Sequence, residues 1–172
     1  TVFKLSAESL ADNTLIILFA IMTVSFIGFI DDMLGNRDVL GLKGHFKSLL
    51  KGRLTTGALK AIVALLLAFI LSLSISSSYV EILVNTLIIA LFTNFFNLLD
   101  LRPGRAIKVY IIIFLAIIIG LTVTNEFETT LSFISILGTV IGYFPNDLKA
   151  RCMMGDAGSN VLGISIGILT VL

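Results

Sequence analysis

The sequence predicts an all-α integral membrane protein, a bundle of about six transmembrane helices within 172 residues. Hydrophobic residues make up 57% of the chain and charged residues only 13%, which is more apolar surface than one soluble core can bury. Apolar runs close to the ~20 residues that cross a bilayer recur along the whole length, so a single signal peptide does not explain them.

Short polar segments separate these apolar runs from one another. The first run stops at Asp31-Asp32, and the longest polar connection follows it, with a helix-like stretch at residues 45–50. The third run stops before Pro103 and Gly104, because both residues interrupt a helix. The predicted spans are residues 14–30, 57–76, 80–99, 107–124 and 130–144, with a sixth that starts near residue 160.

The two ends of the sequence suggest a piece of a larger protein. The chain begins with Thr1 rather than Met and ends at Leu172, inside an apolar segment too short for a comfortable span. We therefore expect one transmembrane domain, residues 1–172, that is the middle part of a longer membrane protein. Cys152 is the only cysteine, so the sequence predicts no internal disulfide.

Basic residues fall on one side of the predicted spans and mark the cytoplasmic face of the membrane. The opposite side carries mainly acidic residues, including Glu126 and Glu128. This alternation predicts an outside start and places Asp31, Asp32, Asp100 and Asp156 on the cytoplasmic side. The basic residues of that side are Arg37, Lys43, Lys47, Lys51, Arg53, Arg102, Arg105, Lys108, Lys149 and Arg151.

Two acidic clusters lie at the cytoplasmic ends of the first and third spans. A carboxylate is unfavourable at a helix C-terminus, so the adjacent pair Asp31-Asp32 indicates a nearby cation or base, with a hydrated helix end as the alternative. Asn94, Asn97 and Asp100 recur every third residue and share one stripe of a helix. The alternative for these amides is hydrogen bonding between helices.

A third carboxylate, Asp156, lies between Gly155 and Gly158 just before the last apolar run. Glycines let the backbone approach a bulky anion or a hydrated cation, and an Asp oxygen suits a hard ion such as Mg²⁺. A helix start at this point also favours an anionic ligand. The alternative is a capping turn in which Asp156 or Ser159 accepts backbone N–H bonds. If the three clusters meet, they form a phosphate-and-metal site.

Together these clusters resemble three motifs of the polyprenyl-phosphate N-acetylhexosamine-1-phosphate transferases, the integral membrane enzymes of glycosyltransferase family 4. The double-aspartate motif is similar to Gly28-Phe29-Ile30-Asp31-Asp32, and the Asn-x-x-Asn-x-x-Asp motif to Asn94-Phe95-Phe96-Asn97-Leu98-Leu99-Asp100. The Gly-Asp-x-Gly-Ser motif is similar to Gly155-Asp156-Ala157-Gly158-Ser159. The three occur in the family's order, each at a predicted cytoplasmic helix end.

The resemblance implies an enzyme that joins sugar-1-phosphate from a UDP-N-acetylhexosamine to polyprenyl phosphate and releases UMP. It implies that Asp156 binds Mg²⁺, with Mn²⁺ as an alternative. Asp31 or Asp32 would orient or deprotonate the lipid phosphate, and Asp100 would act with Asn97 at the nucleotide. Phosphoryl transfer depends chiefly on positioning and charge neutralisation, which these residue types provide.

Further substrate contacts are implied by the same resemblance. Asn94 belongs to the asparagine motif, Asn146 matches a family asparagine near the uridine site, and Lys47 matches a loop lysine suited to phosphate. The implied partners are polyprenyl phosphate, the UDP-sugar and the membrane. No nucleic acid is expected, and the sequence leaves a homodimer open.

The chain departs from the family pattern at two positions. Where the family reads Asp-Gly-x-Asp-Gly, this chain has Asp100-Leu101-Arg102-Pro103-Gly104, so Pro103 replaces the second aspartate. Met153 stands where an aromatic side chain often lies against the uracil. Arg102 and Arg105 are candidates for phosphate contacts that compensate for these changes.

Two other functions remain open at this point. One is a fragment of an ion-coupled transporter or channel, because carboxylates at membrane depth often bind an ion in transit. That reading predicts polar residues deep within several spans, whereas here the deep positions are nearly all aliphatic or Phe. The other is a non-catalytic relative that only binds lipid phosphate, which the Pro103 departure leaves open.

Overall fold

The computed structural model describes residues 7–35, 48, 50, 52, 54–124 and 128–172, without the side chains of residues 7–13, 124 and 128–132. The predicted phosphate contact Lys47 and most of the predicted helical stretch 45–50 lie outside these residues. The described part is all-helical, as predicted. Its helices are α1 (Ala7–Leu34), α2 (Thr56–Ile75), α3 (Tyr79–Leu99), α4 (Arg105–Thr124), α5 (Glu128–Leu148) and α6 (Gly155–Val171).

Local side-chain caps explain where α2 and α3 begin. The Thr55 side chain accepts a hydrogen bond from the backbone N–H of Ala58, and Ser78 does the same for Glu81. Glu81 reaches back to the N–H of Ser77 at 2.8 Å, an arrangement close to a capping box. The turn from α2 to α3 therefore satisfies its own backbone donors.

Within the described residues, four helices are long and apolar enough to cross a membrane: Thr14–Leu34, Thr56–Ile75, Tyr79–Leu99 and Arg105–Val123. The prediction of a polytopic membrane bundle is thus confirmed, and four of the predicted spans meet this criterion. The last helix, α6, is also apolar but has 17 residues.

Three helix boundaries differ from the predicted ones. Helix α1 continues to Leu34, so Asp31 and Asp32 lie in its last turns instead of following it. Helix α5 continues through Pro145 to Leu148, although the proline has no N–H to donate to the carbonyl of Ile141. Helix α6 begins at Gly155, which has a positive φ of 66°. The helix therefore includes the Gly155–Ser159 motif, which was expected to precede it.

Helix α6 lies at the centre of the bundle and packs against α1 and α3. Every residue from Ser159 to Leu169 except Val161 is buried. Gly163 and Gly167 bring α6 against the α3 backbone at Thr93 and Ile89, a close approach that a larger side chain would prevent. The helix that carries Asp156 is therefore the most enclosed one, and its first turn meets the ends of its neighbours.

Candidate functional site

The Lys60 ammonium joins two of the predicted acidic clusters. It lies in the first turns of α2 and binds Asp31 Oδ2 of α1 at 3.0 Å and also Asp156 Oδ2 of α6. The two carboxylates are close enough to interact directly, so the cation between them offsets their repulsion. Nearby positive charge was expected from the acidic pair at the end of α1, and Lys60 provides it.

Asp32 caps the start of α6 from the neighbouring helix. Its Oδ1 accepts the N–H of Asp156 at 3.0 Å and its Oδ2 accepts the N–H of Ala157 at 3.1 Å. These are backbone donors that a helix N-terminus leaves without partners, and the helix dipole favours a negative group there. A Cβ at Gly155 would lie 2.6 Å from Asp32 Oδ2, so glycine provides the room for this contact.

Asn97 links the asparagine motif of α3 to the same cluster. With its oxygen directed to Lys60 Nζ (3.2 Å), its amide nitrogen donates to Asp156 Oδ1 (2.5 Å) and Ser159 Oγ (3.2 Å). Each contact then pairs a donor with an acceptor. Asn97 consequently fixes the second oxygen of Asp156 while Lys60 holds the first.

Asp100 lies beside this cluster and is 8% exposed. Burial, followed by the negative charge of Asp147, raises the pKa of Asp100 to about 6, although the backbone N–H of Gly155 acts in the opposite direction. Its Oδ1 is buried and has no hydrogen-bond partner among the described residues. Asp100 therefore keeps unused capacity to accept a hydrogen bond.

The other predicted substrate contacts are arranged differently. Asn94, Asn146 and Arg102 are exposed, outside the network of Lys60, Asp156 and Asn97. Arg105 Nε donates to the carbonyl of Leu99 at 2.8 Å, which closes the C-terminal end of α3. Part of the Arg105 guanidinium is thus used structurally, and only its remaining N–H groups are available to a phosphate.

Two expectations about the start of α6 were wrong. An external anion was expected at the backbone donors beside Asp156, but the Asp32 carboxylate occupies those donors. Ser159 was considered as a cap of α6, but it lies inside the helix and contacts Asn97, and the N-cap residue Met154 makes no side-chain cap bond. A Cβ at Gly158 would meet the Met154 side chain, so this glycine makes room for packing.

Lys60 and Asp147 are the residues that sequence reasoning missed. A lysine within an apolar helix is unfavourable without a partner, so the position of Lys60 in α2 was a usable signal. Asp147 is 1% exposed in the last turn of α5, and its Oδ2 accepts the N–H of Gly104 at 2.7 Å. It lies two residues after Pro145, where a solvent-exposed loop was the simpler interpretation.

The geometry around Lys60 fits a cation site made of hard oxygen donors. Among the described residues, no set of three or more His, Cys, Asp or Glu side chains forms a complete metal cage. Mg²⁺ typically binds one or two carboxylates and takes its other ligands from water and substrate phosphates. Asp156 and Asp31 converge on one cationic group, so this pair of carboxylates meets that requirement.

Comparison with known proteins gives the family. The family model described as "Glycosyl transferase family 4" matches residues 14–172. Similar proteins include enzymes named phospho-N-acetylmuramoyl-pentapeptide-transferase from Clostridium beijerinckii (29% identical, covering 100% of this chain and 56% of the relative) and Clostridium botulinum strain Eklund 17B (28%, covering 94% and 52%). The relative from Borrelia garinii subsp. bavariensis is 30% identical, covering 92% and 52%.

This chain spans about half the length of the curated relatives it matches. No solved structure was found to match it. The family match nevertheless includes all three motifs and all four apolar spans of the described structure. The chain therefore belongs to glycosyl transferase family 4.

Proposed function

We propose that the whole protein transfers N-acetylhexosamine-1-phosphate, or a derivative of it, from a UDP-sugar to polyprenyl phosphate. The reaction releases UMP at the cytoplasmic membrane face and serves the synthesis of peptidoglycan or another envelope polysaccharide. The observation that best supports this proposal is the network of four side chains at one end of a bundle of apolar helices: Asp31, Lys60, Asn97 and Asp156. A lipid acceptor accounts for a phosphate site at a membrane surface, and the names of the relatives support the reaction class.

We assign Asp31 to the phosphate group of the lipid acceptor. Both oxygens of Asp32 are engaged with the backbone of α6, which suits a positioning residue, whereas the described contacts of Asp31 come from side chains. Asp31 accepts a proton from the lipid phosphate. The phosphate oxygen that loses this proton attacks the sugar-linked phosphorus of the UDP-sugar. A new P–O bond forms, the bond from that phosphorus to the UMP oxygen breaks, and UMP leaves.

Positive charge at the site comes from Lys60 and from a divalent ion. Lys60 holds Asp31 and Asp156 at a fixed separation and attracts the incoming diphosphate. Mg²⁺, or Mn²⁺ in its place, would be held by Asp156 and would neutralise charge that develops on the phosphate oxygens. Asn97 keeps Asp156 oriented for that task.

Asp100 is assigned to the nucleotide side of the site. Its buried, unpartnered oxygen is an acceptor available to an N–H or O–H group of the UDP-sugar. Asn94, Asn146, Arg102 and Lys47 are assigned to outer contacts with the same substrate. The exposure of the first three is consistent with a substrate that enters from the aqueous face.

A transporter or channel is less well supported by the interior of the bundle. Buried hydroxyl groups of Ser72, Thr86 and Thr93 donate to carbonyls of their own helices, so they do not line a polar path. The charged residues of α2, α3 and α4 lie near the helix ends. This distribution favours chemistry at one surface over passage through the membrane.

The test uses the full-length protein in detergent with polyprenyl phosphate and either UDP-N-acetylglucosamine or UDP-N-acetylmuramoyl-pentapeptide. We expect UMP release and a lipid-linked sugar, both dependent on Mg²⁺ or Mn²⁺ and abolished by EDTA. Binding of polyprenyl phosphate without UMP release from either donor would indicate the non-catalytic relative. Ion flux in liposomes without UMP release would indicate a transporter.

A further inference from the structure

The start of α4 lacks a local side-chain cap. The N-cap residue is Gly104, which has no side chain, and the third helical residue, Ile107, has no oxygen to return to the Gly104 N–H. Pro103 before it has no side-chain acceptor either. Since a buried backbone donor without a partner is costly, an acceptor must come from elsewhere in the fold.

Asp147 supplies that acceptor from α5. Its Oδ2 receives the Gly104 N–H at 2.7 Å, although the two residues are 43 positions apart. Gly104 has a positive φ of 71°, and a Cβ there would meet Leu148, the neighbour of Asp147. The end of α5 therefore packs closely on the turn that joins α3 to α4, and the Asp147 carboxylate fastens that turn.

Burying a carboxylate is energetically unfavourable if its role is only to hold one backbone N–H. Asp147 Oδ1 is buried without a partner among the described residues, as is Oδ1 of Asp100. A buried acceptor without a partner is unfavourable, so two neighbouring carboxylates of this kind are a poor solution for stability alone. Their placement is explained if the carboxylate of Asp147 controls how the segment 100–105 is presented to substrate.

We propose that Asp147 is a positioning residue that provides, from α5, the side-chain hydrogen-bond acceptor that Pro103 cannot offer within the Asp100–Gly104 turn. It holds this turn so that Asp100, Arg102 and Arg105 face the UDP-sugar. The inference rests on the proposed function. It predicts an effect on the UDP-sugar and not on the lipid acceptor, because Asp31, which is assigned to the acceptor phosphate, lies on α1.

The experiment compares four full-length proteins: the parent, Asp147→Ala, Asp147→Asn and the double variant Pro103→Asp/Asp147→Ala. For Asp147→Ala we expect the KM for the UDP-sugar to rise at least about tenfold, with kcat and the KM for polyprenyl phosphate changed less than about threefold. Asp147→Asn should retain a KM near the parent value, because its amide oxygen can accept the Gly104 N–H. The double variant should recover most of the lost affinity.

An unchanged UDP-sugar KM in Asp147→Ala overturns the inference. So does a rise in both KM values that neither Asp147→Asn nor the double variant corrects, since this pattern indicates general loss of structure. If the parent itself releases no UMP, the proposed function fails instead. The positioning role is then decided by hydrogen exchange of the peptide covering 100–108, which should quicken at least about tenfold in Asp147→Ala alone; equal exchange in all four proteins overturns it.

Discussion

The two ends of the helical bundle are stabilised in different ways. At the turn from α2 to α3, the side-chain hydrogen bonds of Ser76, Ser78 and Glu81 join residues three to nine positions apart. At the opposite end, contacts of the acidic motifs join residues 29 to 125 positions apart. The first end is therefore built by local sequence, whereas the second exists only when four helices are assembled.

This difference predicts which substitutions affect stability alone and which affect chemistry. A local cap can be removed without moving any distant group. A residue such as Asp156, which contacts α1, α2 and α3 at once, cannot be changed without altering the site. Substitutions at the two ends should therefore differ in effect, and they are ordered below by decreasing effect.

Asp156→Asn should have the largest effect. The amide keeps the side-chain shape but loses the negative charge that pairs with Lys60 and would hold a divalent ion. We expect kcat for UMP release to fall by roughly 10²–10³, the scale for loss of a preorganised electrostatic contact. Turnover within tenfold of the parent would remove Asp156 from the metal role.

Lys60→Gln should affect stability as well as turnover. Without the ammonium, Asp31 and Asp156 face each other with no cation between them. Because both carboxylates are partly exposed, we expect a loss of about 1–2 kcal/mol in unfolding free energy, less than for a fully buried pair. Lys60→Arg is the matched control that keeps the charge. Equal thermal midpoints for the Gln variant and the parent would contradict a bridging role.

Asp147→Asn should change the pH dependence of the reaction. Removing the Asp147 charge removes one cause of the raised pKa of Asp100, which is about 6 in the folded protein. If the ionised form of Asp100 is active, the acidic limb of log(kcat/KM) against pH moves to lower pH. The charges of Asp32 and Asp156 remain and raise the same pKa. An acidic limb that stays in place would show that Asp147 does not influence Asp100.

The same raised pKa has a defined effect on stability. Asp100 has an ordinary pKa of 3.8 when unfolded, so the folded protein holds more protons between pH 4 and 6. Its contribution to stability is complete below about pH 4 and is lost as the pH rises through about 6. In Asp147→Asn this loss should occur over a narrower pH range, which urea titrations at several pH values can measure.

Ser78→Ala should have the smallest effect and serves as the control from the local end. It removes the side-chain cap of α3, at a cost of about 1 kcal/mol in unfolding free energy, and should leave UMP release unchanged. Asp32→Ala removes a comparable cap from α6 but should also lower turnover, because Asp32 fixes the turn that carries Asp156. Equal UMP release by the two variants would contradict the proposed difference between the two ends of the bundle.

Much of the fold could be predicted because membrane spans depend on composition and length. The apolar runs gave α2, α3 and α4 to within two residues, since a helix must satisfy its own backbone in lipid. The end of α5 was predicted too early because Pro145 looked like a break. The start of α6 was predicted too late because Gly155 and Gly158 looked like a turn.

The site was only partly predictable. Asp31, Asp32, Asn97 and Asp156 belong to short motifs, so the sequence alone pointed to them. Lys60 and Asp147 carry no motif, and their importance depends on which distant helix end they reach. Periodicity along one helix does not specify that pairing, because it is set by the packing of α6 among α1, α3 and α4.

The central position of α6 also bears on the order of biosynthesis. This helix follows the other five along the chain, yet its buried face fills the space between them. While the ribosome is still making α5, the glycines of α6 that pack against Thr93 and Ile89 do not yet exist. The backbone N–H of Asp156, which donates to Asp32, has not been made either. Until α6 has been made, the earlier described helices therefore lack the partner that buries α3 at Thr93 and Ile89, and Lys60 and Asp32 lack their contacts at Asp156 and Ala157.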